Sequence, residues 1–336
     1  MKTIAIEEHF SMPAAPGIAP NRPDEGSAGQ FMAEMGRRLR DLGEGRLADM
    51  DAAGIDMQVL SLSAMEGEAR PDSAAAHVRD ANDTLAEAVR RNPGRFAGFA
   101  ALAPVDPESA AAELERCVTR LGFVGAMIDG TIDGQFLDNR RFEPVLAAAE
   151  QLGVPLYLHP APPPSRVKEA YYSGLPEAVA FSLSISGWGW HAETGLHSLR
   201  LVVAGVFDRF PKLQIIIGHM GEFLPYCLAR SDFILSRAAP HLQRRVSDYF
   251  RANFHITTSG YFTLPPLLCA MMVFGVESIM FAVDYPYSPN AAGRALLNSA
   301  PISPGDLEKI AHGNAERILK LPSAVGAPAN KEGVVK

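Results

Sequence analysis

Four stretches of the chain place histidine or carboxylate side chains directly after short apolar runs. The first contains Glu7 and His9, and the others end in His159, in His219 and in Asp284. Because side chains alternate between the two faces of a strand, Glu7 and His9 point the same way and could share one ion. Carboxylates and imidazoles together suit Zn²⁺ or another divalent transition metal, with a position left open for water or substrate. The four stretches therefore predict a metal site.

Each stretch alone has an ordinary structural explanation. A single histidine after a strand is more often a hydrogen-bonded loop residue than a ligand, and an aspartate there is often only a helix cap. Four such stretches in one chain are harder to explain in this way. A further histidine, His191 in the sequence Gly187-Trp188-Gly189-Trp190-His191, belongs to a long loop and could face a substrate.

Eight short β-rich or apolar runs recur along the chain, and most of them precede a segment with helical spacing. The predicted strands are Thr3–Ile6, Met57–Leu62, Phe96–Leu102, Val124–Ile128, Val154–Leu158, Leu213–Ile217, Phe254–Thr258 and Ser278–Val283. The predicted helices are Gly45–Ala53, Ser73–Asn92, Pro107–Leu121, Arg141–Leu152, Thr194–Arg209 and Leu264–Phe274. Eight alternating units over about 250 residues favour an α/β fold of the (β/α)₈ TIM-barrel type over a doubly wound sheet.

Two long stretches interrupt the alternation of strands and helices. They are Met12–Gly43, after the first strand, and Pro160–Trp190, after the fifth. Loops that follow strands in a barrel lie over its catalytic face, so both are expected to be lids or specificity loops. We predict one barrel domain over residues 1–321 and a flexible C-terminal tail over residues 322–336.

The composition narrows the classes of partner. Acidic residues number 38 against 31 basic ones, which gives a formal net charge of −7. No block of lysine and arginine is long enough to follow a phosphate backbone, so nucleic acid is not an expected partner. No stretch approaches the roughly 18 uninterrupted apolar residues of a membrane span, and the N-terminus lacks a signal-peptide pattern. We expect a cytoplasmic protein with no membrane partner.

Several motifs at the predicted strand ends carry a family resemblance. They are Glu7-x-His9, His159-Pro160, Gly218-His219-Met220-Gly221-Glu222, Ile256-Thr257-Thr258-Ser259-Gly260 and Asp284-Tyr285-Pro286. Together they resemble the amidohydrolase superfamily, and within it the non-hydrolytic branch. That branch includes the γ-resorcylate (2,6-dihydroxybenzoate), 2,3-dihydroxybenzoate, 5-carboxyvanillate and aminocarboxymuconate semialdehyde decarboxylases. The resemblance runs from residue 4 to about residue 321.

The resemblance implies a cofactor and its ligands. Carried over by position, the residues that hold a single Zn²⁺ or Mn²⁺ per chain are Glu7, His9, His159 and Asp284. In the decarboxylases the last of these would also be a catalytic residue, because it delivers a proton to the substrate.

The resemblance also implies roles for three residues around the metal. His219 would lie beside the ion, close enough to bind or polarise a water molecule or the substrate. Glu222, three residues on, would share its helical face and orient it. Arg230, eleven residues past that histidine, would reach the substrate carboxylate, in some relatives from a neighbouring subunit. We accordingly expect a homodimer or a homotetramer.

The substrate pocket departs from the family pattern although the metal motifs do not. After the eighth strand the decarboxylases commonly read Asp-Trp/Tyr-Pro-Phe-Glu-Asn, whereas this chain has Asp284-Tyr285-Pro286-Tyr287-Ser288-Pro289-Asn290. We expect the substrate to be contacted by Arg230, His191, Trp190 and Tyr287. The aromatic side chains of Pro160–Trp190 are expected either to form a wall for a planar ring or to serve as ordinary loop packing or a subunit contact.

Two reactions and one non-enzymatic alternative fit these observations. The leading hypothesis is metal-dependent decarboxylation of a small carboxylic acid, either aromatic and hydroxybenzoate-like or unsaturated. The alternative is a metal-dependent hydrolase or hydratase acting on a lactone or amide. Hydrolytic relatives usually carry His-x-His on the first strand, and the extra negative charge of Glu7 should make a bound water less acidic, which weighs against hydrolysis. The third hypothesis is a binding protein without catalysis.

Overall fold

Eight parallel strands form one sheet in chain order, β1 to β8, in a computed structural model that describes residues 1–12, 27–63 and 74–321. The strands are β1 Ile4–Phe10, β2 Met57–Leu62, β3 Phe96–Ala101, β4 Gly125–Asp129, β5 Leu156–His159, β6 Ile215–Ile217, β7 Phe254–Thr257 and β8 Ile279–Met280. The predicted tail, residues 322–336, lies outside the described residues.

The sheet closes on itself between β1 and the segment that follows β8. The amide of Ile6 donates to the carbonyl of Phe281 at 3.2 Å, and the amide of Asp284 donates to the carbonyl of Glu7 at 2.9 Å. The amide of His9 completes the seam by donating to the carbonyl of Tyr285 at 2.7 Å. The predicted (β/α)₈ barrel is therefore confirmed, and its closing seam lies at the predicted metal site.

Helices follow the strands around the outside of the barrel. They are Ser27–Arg40, Glu44–Ala53, Ala74–Arg91, Pro107–Arg116, Glu143–Leu152, Ser165–Tyr172, Glu177–Ser184, Gly189–Val203, Val206–Arg209, Leu224–Ala238, Val246–Asn253, Leu264–Phe274, Asn290–Ser299, Pro304–Glu308 and Asn314–Ile318. A π-helical turn, Cys117–Leu121, continues the fourth of these, and a 3₁₀ turn, Arg140–Phe142, precedes the fifth. No helix in the described ranges is long and apolar enough to cross a membrane.

Two predicted elements are divided or shortened in the structure for local reasons. The predicted helix Thr194–Arg209 is two helices, because Gly205 breaks it with a φ of +69°. The predicted strand Ser278–Val283 keeps only Ile279–Met280. Side chains replace the strand ladder there: the hydroxyl of Thr258 accepts from the amide of Ala282 at 3.0 Å.

The first strand is longer than predicted and carries a change of register. It runs from Ile4 to Phe10, so Glu7 and His9 lie inside the strand rather than after it. Its pairing with β2 shifts between Ala5 and Glu8. This irregularity lies beside the predicted metal ligands Glu7 and His9, and β-bulges often occur next to active sites.

The long stretches after β1 and β5 contain helices of their own. The first includes Ser27–Arg40, and its residues 13–26 lie outside the described part of the chain. The second folds into the helices Ser165–Tyr172 and Glu177–Ser184 before Gly189–Val203 begins. The stretch after β5 therefore adds a helical layer to the barrel.

Apolar side chains fill both the inside and the outside of the sheet. On β6, Ile216 packs inside the barrel with Phe99 and Tyr157, whereas Ile215 and Ile217 pack outward against the helices. The interior is thus a packed core rather than a channel, and the site residues lie on top of it.

Candidate metal centre

The four residues predicted as ligands converge at the carboxyl ends of the strands. Glu7, His9, His159 and Asp284 each place one donor atom within 4.8 Å of the others. The Nε2 atom of His9 is 3.2 Å from Oδ1 of Asp284, and the Nε2 atom of His159 is 3.6 Å from Oε1 of Glu7. Two imidazoles and two carboxylates in this arrangement are a donor set that a divalent transition metal accepts.

Two of these donor atoms are buried and have no hydrogen-bond partner within the described residues. They are Oε1 of Glu7 and Nε2 of His9, on side chains that are almost completely buried. The 3.2 Å contact of His9 with Asp284 does not have the geometry of a hydrogen bond. Buried polar atoms without partners are rare in folded proteins, because each costs about 1–3 kcal/mol. A bound cation would satisfy both atoms, so the residues present fit a metal ion.

The second polar atom of Glu7 and that of His9 each contact neighbouring polar groups. The hydroxyls of Tyr157 and Thr257 donate to Oε2 of Glu7, the second at 3.0 Å, which leaves Oε1 facing the site. The Nδ1 atom of His9 lies 3.2 Å from the hydroxyl of Ser61. These contacts fix the orientation of the ligands and present His9 through its Nε2 atom.

His159 has a carboxylate behind it that the sequence analysis missed. Its Nδ1 atom lies 3.1 Å from Oδ1 of Asp129, which ends β4 next to His159 in the sheet register. Burial alone would lower the pKa of His159, but the charges of Asp129 and of Glu7 raise it above its ordinary value. Asp129 directly follows the fourth predicted strand, and this position is the feature of the sequence that could have indicated the contact.

A second buried network lies on the opposite face of β1. As expected from strand alternation, Glu8 points away from the ligands, and its carboxylate accepts from the amides of Val283 and Tyr285 at 2.9 Å each. These two amides flank Asp284 in the sequence. The fully buried guanidinium of Arg46 donates to the carbonyl of His9 at 2.6 Å. The network fixes the backbone around His9 and Asp284, two of the predicted ligands.

His219 lies beside the ligands and contacts a buried carboxylate. Its Nε2 atom is 3.8 Å from Oε1 of Glu7 and 3.7 Å from Oδ2 of Asp284. Its Nδ1 atom is 2.8 Å from Oε1 of Glu222, which the prediction had placed next to it. The prediction of a shared helical face was wrong, because Met220 and Gly221 have φ values of +56° and +84°. The contact is made across a left-handed turn instead.

Neighbouring charges shift the pKa values of Glu222, His219 and Asp284. Burial alone would raise the pKa of Glu222, but the charge of His219 and the hydrogen bonds of His191 and His219 lower it to about 2. Burial would lower the pKa of His219, and the charges of Glu222 and Glu7 hold it well above its usual range. The pKa of Asp284, which burial would raise, lies below its usual range because of His219 and His9. The carboxylates of Glu222 and Asp284 are therefore ionised at neutral pH.

The predicted substrate contacts lie at different distances from this centre. The ring of Tyr287 is 5.6 Å from that of His9, and its hydroxyl is 2.7 Å from the hydroxyl of Ser63. His191 is buried, and its ring is 4.8 Å from that of His219. Trp190 is half-buried, and its indole Nε1 has no hydrogen-bond partner within the described residues.

Within its own chain, Arg230 forms no contact with the candidate metal centre in the described residues. It is exposed on the helix Leu224–Ala238, and no ion pair of its guanidinium is found among the described residues. Tyr226 and Phe233, on the same helix, are 91% and 50% exposed. An exposed face that combines an arginine with large apolar side chains is typical of an interaction surface.

Comparisons with known proteins agree with this geometry. Residues 6–321 match the family model described as Amidohydrolase. The chain is 41% identical to decarboxylase orsB of Emericella nidulans, over 95% of this chain and 97% of that protein. It is 39% identical to γ-resorcylate decarboxylase of Rhizobium sp., over 96% and 99% of the two chains.

A solved structure extends the comparison to the three-dimensional fold. It is that of a dihydroxybenzoic acid decarboxylase from Polaromonas sp. with bound manganese and the inhibitor 2-nitroresorcinol. It superposes with a TM-score of 0.87 at 37% identity and covers 96% of this chain and 98% of its own. The similarity therefore includes the whole barrel.

Proposed function

The chain belongs to the amidohydrolase family, and from this membership and its site we propose that it decarboxylates a hydroxybenzoate in a metal-dependent reaction. The observation that carries the proposal is the group Glu7, His9, His159 and Asp284 at one barrel mouth, with Glu rather than His in the first position. Relatives named as decarboxylases, at about 40% identity over nearly the whole chain, support the same reaction.

We propose that these four residues hold one divalent ion per chain, Mn²⁺ or Zn²⁺. The manganese of the Polaromonas structure supports the first ion, and mixed imidazole and carboxylate donors accept either one. When bound, the ion would supply a positive charge that attracts the substrate carboxylate and withdraws electron density from the ring.

We propose that Asp284 transfers a proton from the substrate hydroxyl to the ring. Its carboxylate is ionised in the free site, so it first accepts the proton of the substrate hydroxyl. The resulting acid donates this proton to the ring carbon that bears the carboxylate. The carbon–carbon bond then breaks, CO₂ leaves, and its bonding electrons restore the aromatic ring as a phenolate, which takes a proton from water. No organic cofactor is required, because the ring accepts the electrons.

His219 and Glu222 complete the proposed catalytic group. The Nε2 atom of His219 lies 3.8 Å from Glu7 and 3.7 Å from Asp284, so it can stabilise negative charge that develops on the substrate. Glu222 keeps that imidazole in place through its Nδ1 atom. The barrel domain over residues 1–321 would carry all of these residues.

A substrate panel distinguishes the proposed reaction from the hydrolytic alternative. Protein loaded with Mn²⁺ or Zn²⁺ is incubated with 2,6-dihydroxybenzoate and related hydroxybenzoates, and with a matched set of aryl esters and lactones. We expect CO₂ release from at least one hydroxybenzoate and no ester or lactone turnover above background. Hydrolysis of a lactone without CO₂ release from any acid would contradict the proposal.

We propose that Arg230 binds the substrate carboxylate of a neighbouring subunit in a homodimer or a dimer of dimers. A guanidinium pairs with a carboxylate through two parallel hydrogen bonds, which an ammonium cannot reproduce. Arg230→Lys is therefore expected to lower kcat/KM by at least about tenfold. The measurement is steady-state kinetics together with sedimentation to establish the assembly.

Mixing two inactive variants tests whether the site is shared. Chains with Arg230→Ala are exchanged with chains carrying Asp284→Asn, and some mixed dimers then contain one site with both residues intact. We expect partial recovery of activity. No recovery after verified subunit exchange would place Arg230 in the site of its own chain or outside any site.

We also propose that Trp190 and its neighbour Trp188 form an aromatic wall against the substrate ring. Trp188 is 52% exposed and its ring lies 4.7 Å from that of Phe223, next to the turn that carries Glu222. Trp188→Ala and Trp190→Ala are each expected to raise KM for an aromatic acid about twofold to tenfold, the value of one aromatic contact. Unchanged KM in both variants would indicate loop packing or a subunit contact.

A further inference from the structure

His191 uses both of its ring nitrogens within the protein. Its Nδ1 atom is 2.7 Å from Oε2 of Glu222, and its Nε2 atom is 3.0 Å from the carbonyl oxygen of Ser186. A carbonyl oxygen can only accept, so Nε2 carries a hydrogen. The side chain is 4% exposed. Neither nitrogen is therefore left to form a hydrogen bond with a substrate.

Glu222 is shared between two imidazoles. One carboxylate oxygen contacts His191 and the other contacts Nδ1 of His219 at 2.8 Å. With Nδ1 held in this way, the Nε2 atom of His219 faces Glu7 and Asp284. The direction of His219 thus depends on the position of the Glu222 carboxylate, which His191 contacts from the other side.

The turn that carries His219 and Glu222 has an unfavourable backbone conformation, which neighbouring residues must stabilise. Five consecutive residues, His219 to Phe223, have φ values of 51°, 56°, 84°, 52° and 64°. Only Gly221 among them adopts this region freely, and each of the other residues costs about 1–2 kcal/mol there. The turn persists because its surroundings fix it.

The helix Gly189–Val203 supplies part of this support. His191 and Gly195 are four residues apart and so lie on the same face of that helix. At Gly195 the helix lies so close to the turn that an added Cβ would be 2.8 Å from the carbonyl oxygen of Glu222. The helix therefore contacts Glu222 at its side chain and at its backbone.

We propose that His191 is a positioning residue that holds Glu222, and through it directs His219 toward the reacting atoms. This role replaces the substrate contact expected from the sequence, and it rests on the proposed function. Because Ser186 belongs to the Pro160–Trp190 stretch, the orientation of His219 depends on how that stretch is seated on the barrel. His191 thus links the Pro160–Trp190 stretch to Glu222 and His219.

Two variants on the same helix separate positioning from general damage. His191→Gln removes the imidazole that bridges Ser186 and Glu222. His197→Gln is the matched control, because His197 is also buried on this helix but contacts the amide of Leu137 through Nε2 at 2.9 Å. We expect His191→Gln to lower kcat by on the order of 10 to 10², with KM within about threefold and metal content unchanged. His197→Gln should keep kcat within about threefold.

A spectroscopic measurement tests the same proposal without turnover. In the zinc-loaded protein labelled with ¹⁵N-histidine, the His219 signals are identified by their loss in His219→Asn. We expect the Nδ1 signal of His219 to shift or broaden in His191→Gln and to stay unchanged in His197→Gln.

Three kinetic results would overturn the proposal. They are a raised KM with unchanged kcat in His191→Gln, an equal loss in both variants, and no loss in either. If the wild-type protein releases CO₂ from no acid, the proposed function fails, and the His219 signal alone decides the positioning role. An unchanged His219 signal in His191→Gln would then overturn it.

Discussion

Replacing Asp284 with asparagine should abolish most of the turnover while leaving the metal in place. The amide oxygen can still approach a cation, but the side chain can no longer accept a proton from the substrate hydroxyl and return it to the ring. We expect kcat to fall by on the order of 10² or more, the scale of a general acid–base step. The measurement is CO₂ release at saturating substrate, with elemental analysis of the same sample.

A nearby aspartate serves as the control for this substitution. Asp49 accepts a hydrogen bond from the hydroxyl of Tyr285, the residue after Asp284, and its side chain is 44% exposed. Asp49→Asn should retain turnover within about threefold, because surface substitutions have small effects. Near wild-type rates in Asp284→Asn with metal bound would mean that Asp284 is only a ligand. The proton source would then be another group, such as His219, whose Nε2 atom is 3.7 Å from Oδ2 of Asp284.

Loss of the metal should have an effect of comparable size. We expect about one divalent ion per chain in purified or reconstituted protein. His159→Gln should reduce bound metal at least about tenfold, because it removes one imidazole donor from the site. Chelation should abolish CO₂ release, and added Mn²⁺ or Zn²⁺ should restore it. Elemental analysis and activity before and after chelation provide the measurement.

His255 offers a matched control for the histidine substitution. It lies in β7 of the same barrel and contacts the side chain of Gln214 at 2.9 Å. His255→Gln should keep its metal. Less than about a tenth of an equivalent in the wild-type protein, unchanged after reconstitution, would contradict a metal centre at Glu7, His9, His159 and Asp284.

The metal group could be predicted from the sequence because barrel topology brings strand ends together. Each of its members lies in or directly after an apolar run, and a parallel barrel places all such positions at one mouth. The strand boundaries were less predictable. β8 is short because Thr258 and Glu8 occupy backbone groups that a strand would use, and these contacts join residues far apart in the sequence.

The contacts that orient the predicted ligands and His219 could not be predicted from local sequence patterns. Asp129 contacts His159 because β4 and β5 are in register, which a pattern within one strand does not reveal. Glu222 was correctly placed beside His219, but by a left-handed turn that regular helical spacing does not predict. His191 contacts Glu222 across 31 residues. Such contacts depend on tertiary packing rather than on local spacing.

The most direct test of the proposed reaction follows both fragments of a labelled acid. The metal-loaded protein is incubated in D₂O with 2,6-dihydroxybenzoate labelled with ¹³C in the carboxyl group, and the products are identified by NMR and mass spectrometry. We predict labelled CO₂ and resorcinol with one deuterium at the carbon that carried the carboxyl group, and formation of both products slower by on the order of 10² or more in Asp284→Asn. Recovery of the acid unchanged by metal-replete protein, together with turnover of an ester or lactone, would contradict the account.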